Sequence, residues 1–199
     1  MSSDERRAAR DAWALEQEAL LRGLAHALSN RVGTIVSAVG MLAPGAPAAA
    51  PIVGVLQDEG TRLEELLGLV RVLAGDGGSD APEPIHLPDL VRPIVALHAQ
   101  HPDGRDVDTS TEATPIDAPA VASPTALGRV LLLLLTAAKR SSEADVRIGW
   151  LARERDVVVT IDGAPGDATA AAHGDALLTG GGQVHATATG YRIELPRLG

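Results

Sequence analysis

Cysteine occurs nowhere in the 199 residues, which excludes a disulfide framework, a thiolate metal centre and a cysteine nucleophile together. Phenylalanine is also missing, and aromatic residues amount to 2%. A core must therefore be assembled from Leu, Val, Ile and Ala, and 45% apolar residues supply enough material for one. No apolar run approaches the roughly 20 residues that a membrane-spanning helix needs; the densest holds Leu131 to Leu135. The opening residues, Ser2-Ser3-Asp4-Glu5-Arg6-Arg7, lack the apolar centre of a signal peptide. Positive charge is scarce as well. Lys and Arg number 17 against 26 Asp and Glu, a net charge of −9 that argues against a general nucleic-acid binder. These absences lead to the expectation of a soluble, cytoplasmic protein with neither membrane nor nucleic acid as partner.

What is present begins with a helical period. Leu21, Leu24, Leu28, Val32, Ile35, Val39 and Leu42 recur at spacings of three and four, so one helix is expected from about Asp4 to Leu42. Ala43-Pro44-Gly45-Ala46-Pro47 stops it. A second amphipathic helix follows, with Ile52, Leu56, Leu63, Leu66, Leu67, Val70 and Leu73 on its apolar face. Two such helices joined by a short turn make an antiparallel hairpin. A lone hairpin cannot bury both seams, so a homodimeric four-helix bundle is expected. The Gly, Asp and Pro-rich stretch from Gly75 to Pro84 reads as a linker. The expected division is 1–75 for the hairpin, 76–84 for the linker and 85–199 for an α/β domain.

In that second part the sequence predicts a helix from Pro88 to Ala99, one or two short edge strands between His101 and Pro119, and a buried helix from Pro124 to Arg140. Strands follow at Val146 to Leu151 and Val157 to Ile161, then a short helix from Asp167 to Leu178. A terminal hairpin is expected from Gln183 to Ala188 and Tyr191 to Leu195. The fold class is α+β.

At about 100° per residue, His26 lies nearly opposite Leu24 and Leu28 and should reach water. Arg22, Asn30, Gly33 and Ser37 fall on or near the same stripe. An exposed neutral imidazole is a nucleophile suited to phosphoryl groups. The run His26-Ala27-Leu28-Ser29-Asn30-Arg31-Val32 resembles the phosphoacceptor box of two-component histidine kinases and histidine phosphotransferases. Its Asn-Arg pair is similar to the variant found in sporulation-type phosphotransferases. His26, Leu28, Asn30 and Arg31 match, whereas Ala27 stands where the family usually has an acid.

The second half is similar in element order to the ATP-binding domain of histidine kinases, a Bergerat-like α/β sandwich. Ser123-Pro124-Thr125-Ala126-Leu127-Gly128-Arg129-Val130-Leu131 resembles the opening of the family's Asn box, but the two magnesium-binding asparagines correspond to Leu133 and Ala137. A leucine offers no oxygen to a hard cation. Val157 to Gly166 resembles the strand and turn whose aspartate, here Asp162, would contact adenine. Only 13 residues, Asp167 to Thr179, precede the glycine turn at Gly180-Gly181-Gly182, too few for an ATP lid.

The resemblance implies a dimeric histidine phosphotransferase on a degenerate kinase scaffold. His26 would shuttle a phosphoryl group between aspartates of response-regulator receiver domains. Arg22, Asn30, Arg31, Gly33 and Ser37 would dock or position the receiver. No nucleotide or metal would be held, magnesium being supplied by the receiver. Such a protein is a phosphotransferase with a phosphohistidine intermediate and not an ATP-dependent kinase. The alternative is a non-catalytic pseudokinase dimer that binds or sequesters a receiver or another signalling protein. His98-x-x-His101 offers two imidazoles at a helix end without an evident third ligand, and Asp103, Asp106 and Asp108 alternate as in a calcium loop whose other ligands are missing.

Overall fold

A computed structural model describes residues 2–42, 50–74, 81–104, 111–113, 119–141, 145–178 and 181–198. The first helix, α1 (Ser3–Gly40), starts where a capping box permits. The Glu5 backbone N–H donates to Ser2 Oγ at 3.2 Å, and the Ser2 backbone N–H donates to Glu5 Oε2 at 2.6 Å. Helix α2 (Ala50–Ala74) runs back along α1 to complete the hairpin. The expected stop at 43–47, and residues 75–80 of the expected linker, lie outside the described residues.

The body follows as β1 (Glu83–Ile85), α3 (Leu87–His98), a short 3-10 turn (Pro102–Gly104), β2 (Thr111–Ala113), β3 (Ala120–Ala122) and α4 (Pro124–Ser141). It ends with β4 (Arg147–Ala152), β5 (Asp156–Asp162), α5 (Ala168–Leu177), β6 (Gln183–Ala186) and β7 (Gly190–Pro196). Strands β1 and β3 form a small antiparallel pair. The larger sheet has the order β2-β4-β5-β7-β6, antiparallel except for the β2–β4 edge. Of the stretch from His101 to Pro119, the described parts give the 3-10 turn and edge strand β2; residues 105–110, with two of the three alternating aspartates, lie outside them.

Period-two burial turns one face of the sheet inward. Ile148, Trp150, Val157, Val159, Ile161, Ile193 and Leu195 meet the leucines of α4. Helix α4 is buried at every position from Ala126 to Thr136 except Arg129, whose guanidinium sits 5.9 Å from the Trp13 ring centroid of α1. Helix α5 packs against both α4 and β6, close enough that a Cβ on Gly174 would meet Val184, Val130 and Leu134 in ordinary contact.

The hairpin does not stand apart from this core. Ala9, Trp13, Glu16, Leu20 and Leu24 form the buried stripe of α1, which packs against α5 and α4. Leu66 and Leu73 of α2 join the same cluster. Here the structure departs from the expected seam: Leu20 is buried and Leu21 is 48% exposed. Both fit a helical period, and the position of the body decides between them. The far end of the hairpin has no such cover, so Val32, Val36, Val39 and Met41 of α1 and Val53 and Val55 of α2 are exposed.

Leu134→Ala removes a fully buried side chain at the meeting of sheet, α4 and α5. It is expected to lower unfolding free energy by about 3 kcal/mol, read from the urea midpoint at constant slope.

Candidate functional site

His26 sits midway along α1 and is exposed, as its place opposite Leu24 requires. One turn on, Asn30 Nδ2 lies 3.2 Å from His26 Nε2. With the amide donating, Nε2 carries the lone pair and Nδ1 carries the proton. The Asn30 backbone is held by the helix and accepts at its carbonyl from Thr34 Oγ1 at 3.1 Å. His26 borders a cleft of about 620 Å³ between α1 and the end of α3. Arg22, Asn30 and Arg31 line the same cleft, facing a wall of Ala99, Gln100 and Pro102. No carboxylate lines it among the described residues.

The arginines are held differently. Arg22 pairs with Glu18 at 2.9 Å, a pair open to solvent and therefore weak. Arg31 reaches across the hairpin to Glu59 of α2 at 3.3 Å, and Arg62 meets the same carboxylate at 2.7 Å. Glu59 is buried, so one carboxylate serves two guanidinium groups and leaves positive charge in excess beside the cleft. Gly33 and Ser37 lie further along α1 and do not line the cleft. Gly33 is exposed with nothing within 4 Å of a Cβ placed on it, and Ser37 Oγ donates to the Gly33 carbonyl at 2.9 Å. That stretch presents a low surface.

The positions that resemble a nucleotide site are filled or tied down. Leu133 is buried in the core and Ala137 packs against it. Asp162, which the sequence resemblance would set near adenine, accepts from Thr189 Oγ1 at 2.8 Å. The turn after it is fastened to the terminal hairpin: Gly163 N–H donates to the Thr189 carbonyl at 3.0 Å and Gly166 N–H to the Thr187 carbonyl at 2.9 Å. A Cβ on Gly166 would stand 2.1 Å from the Gly190 carbonyl oxygen. Tyr191 OH accepts from the Asp167 N–H at 3.0 Å, and Asp167 caps α5 through Ala170 N–H at 2.8 Å.

A second polar cluster joins the two imidazoles expected at the end of α3 to partners that the sequence reading did not find. Glu16, from the buried stripe of α1, meets Arg140 of α4 at 2.7 Å. The other Glu16 oxygen lies 3.2 Å from His101 Nε2, an ion-pair distance at an angle too poor for a hydrogen bond. Arg140 also donates to Asp103 at 2.8 Å, and the Asp103 N–H donates to His101 Nδ1 at 3.0 Å, which puts the His101 proton on Nε2, toward Glu16. His98 and His101 stack with centroids 6.2 Å apart, and both are buried. Burial works to raise the Glu16 carboxyl, but His101 and Arg140 outweigh it and hold it below its usual range. The hydrogen bond from Arg140 holds Asp103 low as well. Burial first, then the neighbouring His101, pushes His98 down to about 4. The signal in the sequence was a carboxylate on the same helical stripe as Trp13, Leu20 and Leu24, a buried charge that demands partners. Among the described residues no group of three or more His, Cys, Asp or Glu could hold a metal ion, and no helix is long and apolar enough to cross a membrane.

No family model matches the chain, and no curated protein matches it in sequence. Among solved structures it is similar to the Acinetobacter baumannii histidine kinase AdeS, with 17% identity and a TM-score of 0.46 over 89% of this chain and 95% of that one. It is similar to the histidine kinase ThkA, solved in complex with the response regulator protein TrrA, with 16% identity and a TM-score of 0.48 over 98% of this chain and 66% of that one. A bacterial phosphotransferase gives 13% identity and a TM-score of 0.42 over 92% and 96% of the two chains. With all three TM-scores below 0.5, these likenesses say nothing of what His26 does.

The buried histidine sets a pH dependence of known sign. Unfolded, His98 takes up its proton near pH 6.5; folded, only near 4. Between those values the unfolded chain binds more protons, so the stabilisation is complete above pH 6.5 and is lost as pH falls toward 4. The full loss is about 3 kcal/mol. Urea midpoints between pH 7 and pH 4 are expected to fall along that limb, and His98→Leu, which removes a buried nitrogen with no partner, is expected to flatten it.

Proposed function

We propose that this protein is a histidine phosphotransferase, taking a phosphoryl group from the aspartate of one response-regulator receiver domain onto His26 and passing it to another. The observation that carries the reading is the exposed His26 imidazole with Asn30 at its Nε2, in an arginine-flanked cleft without a carboxylate. The phosphoacceptor-like run around His26 supports it. In the transfer, the P–O bond of the aspartyl phosphate breaks and the Nε2–P bond forms. The aspartate leaves as carboxylate with the electron pair, and His26 Nδ1 keeps its proton. Asn30 first holds the lone pair on Nε2, then releases it as the phosphoryl group arrives. Arg22 and Arg31 lower the cost of bringing a phosphoryl dianion and an acidic receiver face to the cleft. The receiver would supply the magnesium; this chain contributes alignment.

ATP has no part in this reading. Leu133 and Ala137 replace the magnesium-holding positions, and the Asp162 turn is bonded to Thr189 and packed against the terminal hairpin. The decisive experiment incubates a radiolabelled phospho-receiver with the wild-type chain, His26→Ala and Asn30→Ala. Wild type is expected to take up acid-labile label, His26→Ala less than one-hundredth as much, and Asn30→Ala to react about tenfold more slowly. Labelled ATP with magnesium should leave all three unlabelled. Equal labelling of His26→Ala would sink the assignment. An inert wild type that still binds the receiver would favour a pseudokinase-like sequestering module, to which Ala27, in place of the usual acid, is suited.

A second copy of the hairpin is proposed as the cover for its exposed far end, completing a four-helix bundle. Leu66 is committed to the core of a single chain, so the informative substitutions are Val36→Asp and Val39→Asp, at exposed positions of α1. Light scattering is expected to show a dimer for wild type and a folded monomer for the double variant, because each charge would be buried unpaired in the bundle. A wild-type monomer at micromolar concentration contradicts the bundle.

A further inference from the structure

Residues of the wall facing His26 alternate with residues of the buried cluster. Ala99, Gln100 and Pro102 line the cleft. His101 and Asp103, between and beside them in the chain, belong to the ion-pair network, and His98 stacks on His101. Glu16 lies ten residues before His26 on the same continuous helix, about 15 Å along its axis. The two structures are therefore one mechanical unit: a turn of the body is fastened to α1 on its buried side and forms the opposite bank of the cleft beside His26.

The fit between turn and helix has no slack. A Cβ on Gly23 would stand 1.7 Å from the Gln100 carbonyl oxygen, and a Cβ on Gly104 2.0 Å from the His98 carbonyl oxygen. The glycine on α1 is required by the approach of another backbone and not by its own conformation. Apolar contacts through Leu20 and Leu24 hold the body near α1 but do not fix how closely the turn sits, because they are not directional. Glu16 does. It faces Arg140 and His101 from a separate segment, and Arg140 carries the bond on to Asp103 at the end of the turn.

We propose that Glu16, Arg140, His101 and Asp103 form a clamp that, with the glycine contact at Gly23, sets the width of the His26 cleft, making Glu16 a positioning residue for the phosphoacceptor. The clamp rests on the phosphoacceptor reading of His26 for its purpose, though not for its existence.

The lack of cysteine allows two probes to be placed without background. Ala25→Cys on α1 and Pro102→Cys on the wall, both at exposed positions, carry spin labels that report the span across the cleft. Potassium phosphoramidate is the phosphoryl donor: its P–N bond breaks as the His26 Nε2–P bond forms, and ammonia leaves with the electron pair. In the doubly labelled but otherwise native chain the distance distribution is expected to be narrow; the kinetics are read in the cysteine-free chain without spin labels, where labelling of His26 is expected to be saturable. Glu16→Gln and, separately, Gly23→Ala are expected to lengthen or broaden the distribution and to raise KM for phosphoramidate at least fivefold, with the maximal rate within twofold. Gly23→Ala removes no charge but forces a Cβ against the Gln100 carbonyl, so Asp103→Asn, at a half-exposed position of the clamp, is measured beside it and is expected to broaden the distribution with the fold intact by circular dichroism; an unchanged distribution there also overturns the clamp. An unchanged distance and KM in Gly23→Ala overturns the clamp, as does a loss confined to the maximal rate. Wild type that takes no label, or His26→Ala that still takes it, overturns the phosphoacceptor reading instead, and the distance measurement then judges the clamp alone.

Discussion

Helix α4 has no side to offer water. From Ala126 to Thr136 only Arg129 escapes full burial, so the helix needs apolar cover all the way round. The inner face of the sheet supplies one flank, α3 and α5 supply others, and the first half of α1 reaches α4 and closes over α5. Much of the architecture follows from that demand. It ties the helix bearing His26 to the body and fills the region around Leu133 with apolar side chains. At roughly 25 cal/mol per Å² of apolar surface, exposing this helix to admit a polar ligand would sacrifice a large part of the folding free energy, which is small to begin with.

Against that apolar background the Glu16 cluster is costly, and its partners offset only part of the cost. A carboxylate taken from water into a core has to recover its hydration through partners. Glu16 finds Arg140 on one oxygen and His101 near the other, and Arg140 is shared in turn with Asp103. Apolar side chains of similar volume would hold helix and body together as well or better. They would not define a direction. What the charges add is a single arrangement of the α3–turn segment relative to α1, and that segment is the bank of the cleft beside His26.

The elements were largely legible in the sequence because each is a local property. The boundaries of α3, α4, α5 and the β4–β5 pair fall within a residue or two of those expected from period and caps. His26 was placed in water by the angle between it and Leu24, which no distant contact alters. What was not legible depends on which segments meet. Leu20 and Leu21 both satisfy a helical period, and only the position of the body chooses Leu20. The His98–His101 pair was legible from its spacing at one helix end, but Glu16 and Arg140 come from two other segments, so their meeting with it is invisible to a reading that takes one helix at a time. The resemblance that gave Asp162 a place near adenine could not show that Thr189, 27 residues away, holds its carboxylate.

The two ends of the hairpin are thus under different constraints. Near Trp13, Glu16 and Leu20 the helix is part of a folded body, and its side chains are already spent on α4, α5 and the 3-10 turn. Beyond Arg31, three valines and a methionine of α1 and two valines of α2 face solvent. His26 stands between these regions. A partner that covers the far end reaches His26 along the helix from one side, while the body bounds it from the other. On the proposed reading a receiver approaches through the remaining sector, where Arg22 and Asn30 are exposed and Gly33 and Ser37 leave the helix surface low. In-line attack on phosphorus tolerates little angular error, so a rigid bank on one flank of the nucleophile narrows the approaches that bring donor and Nε2 into line.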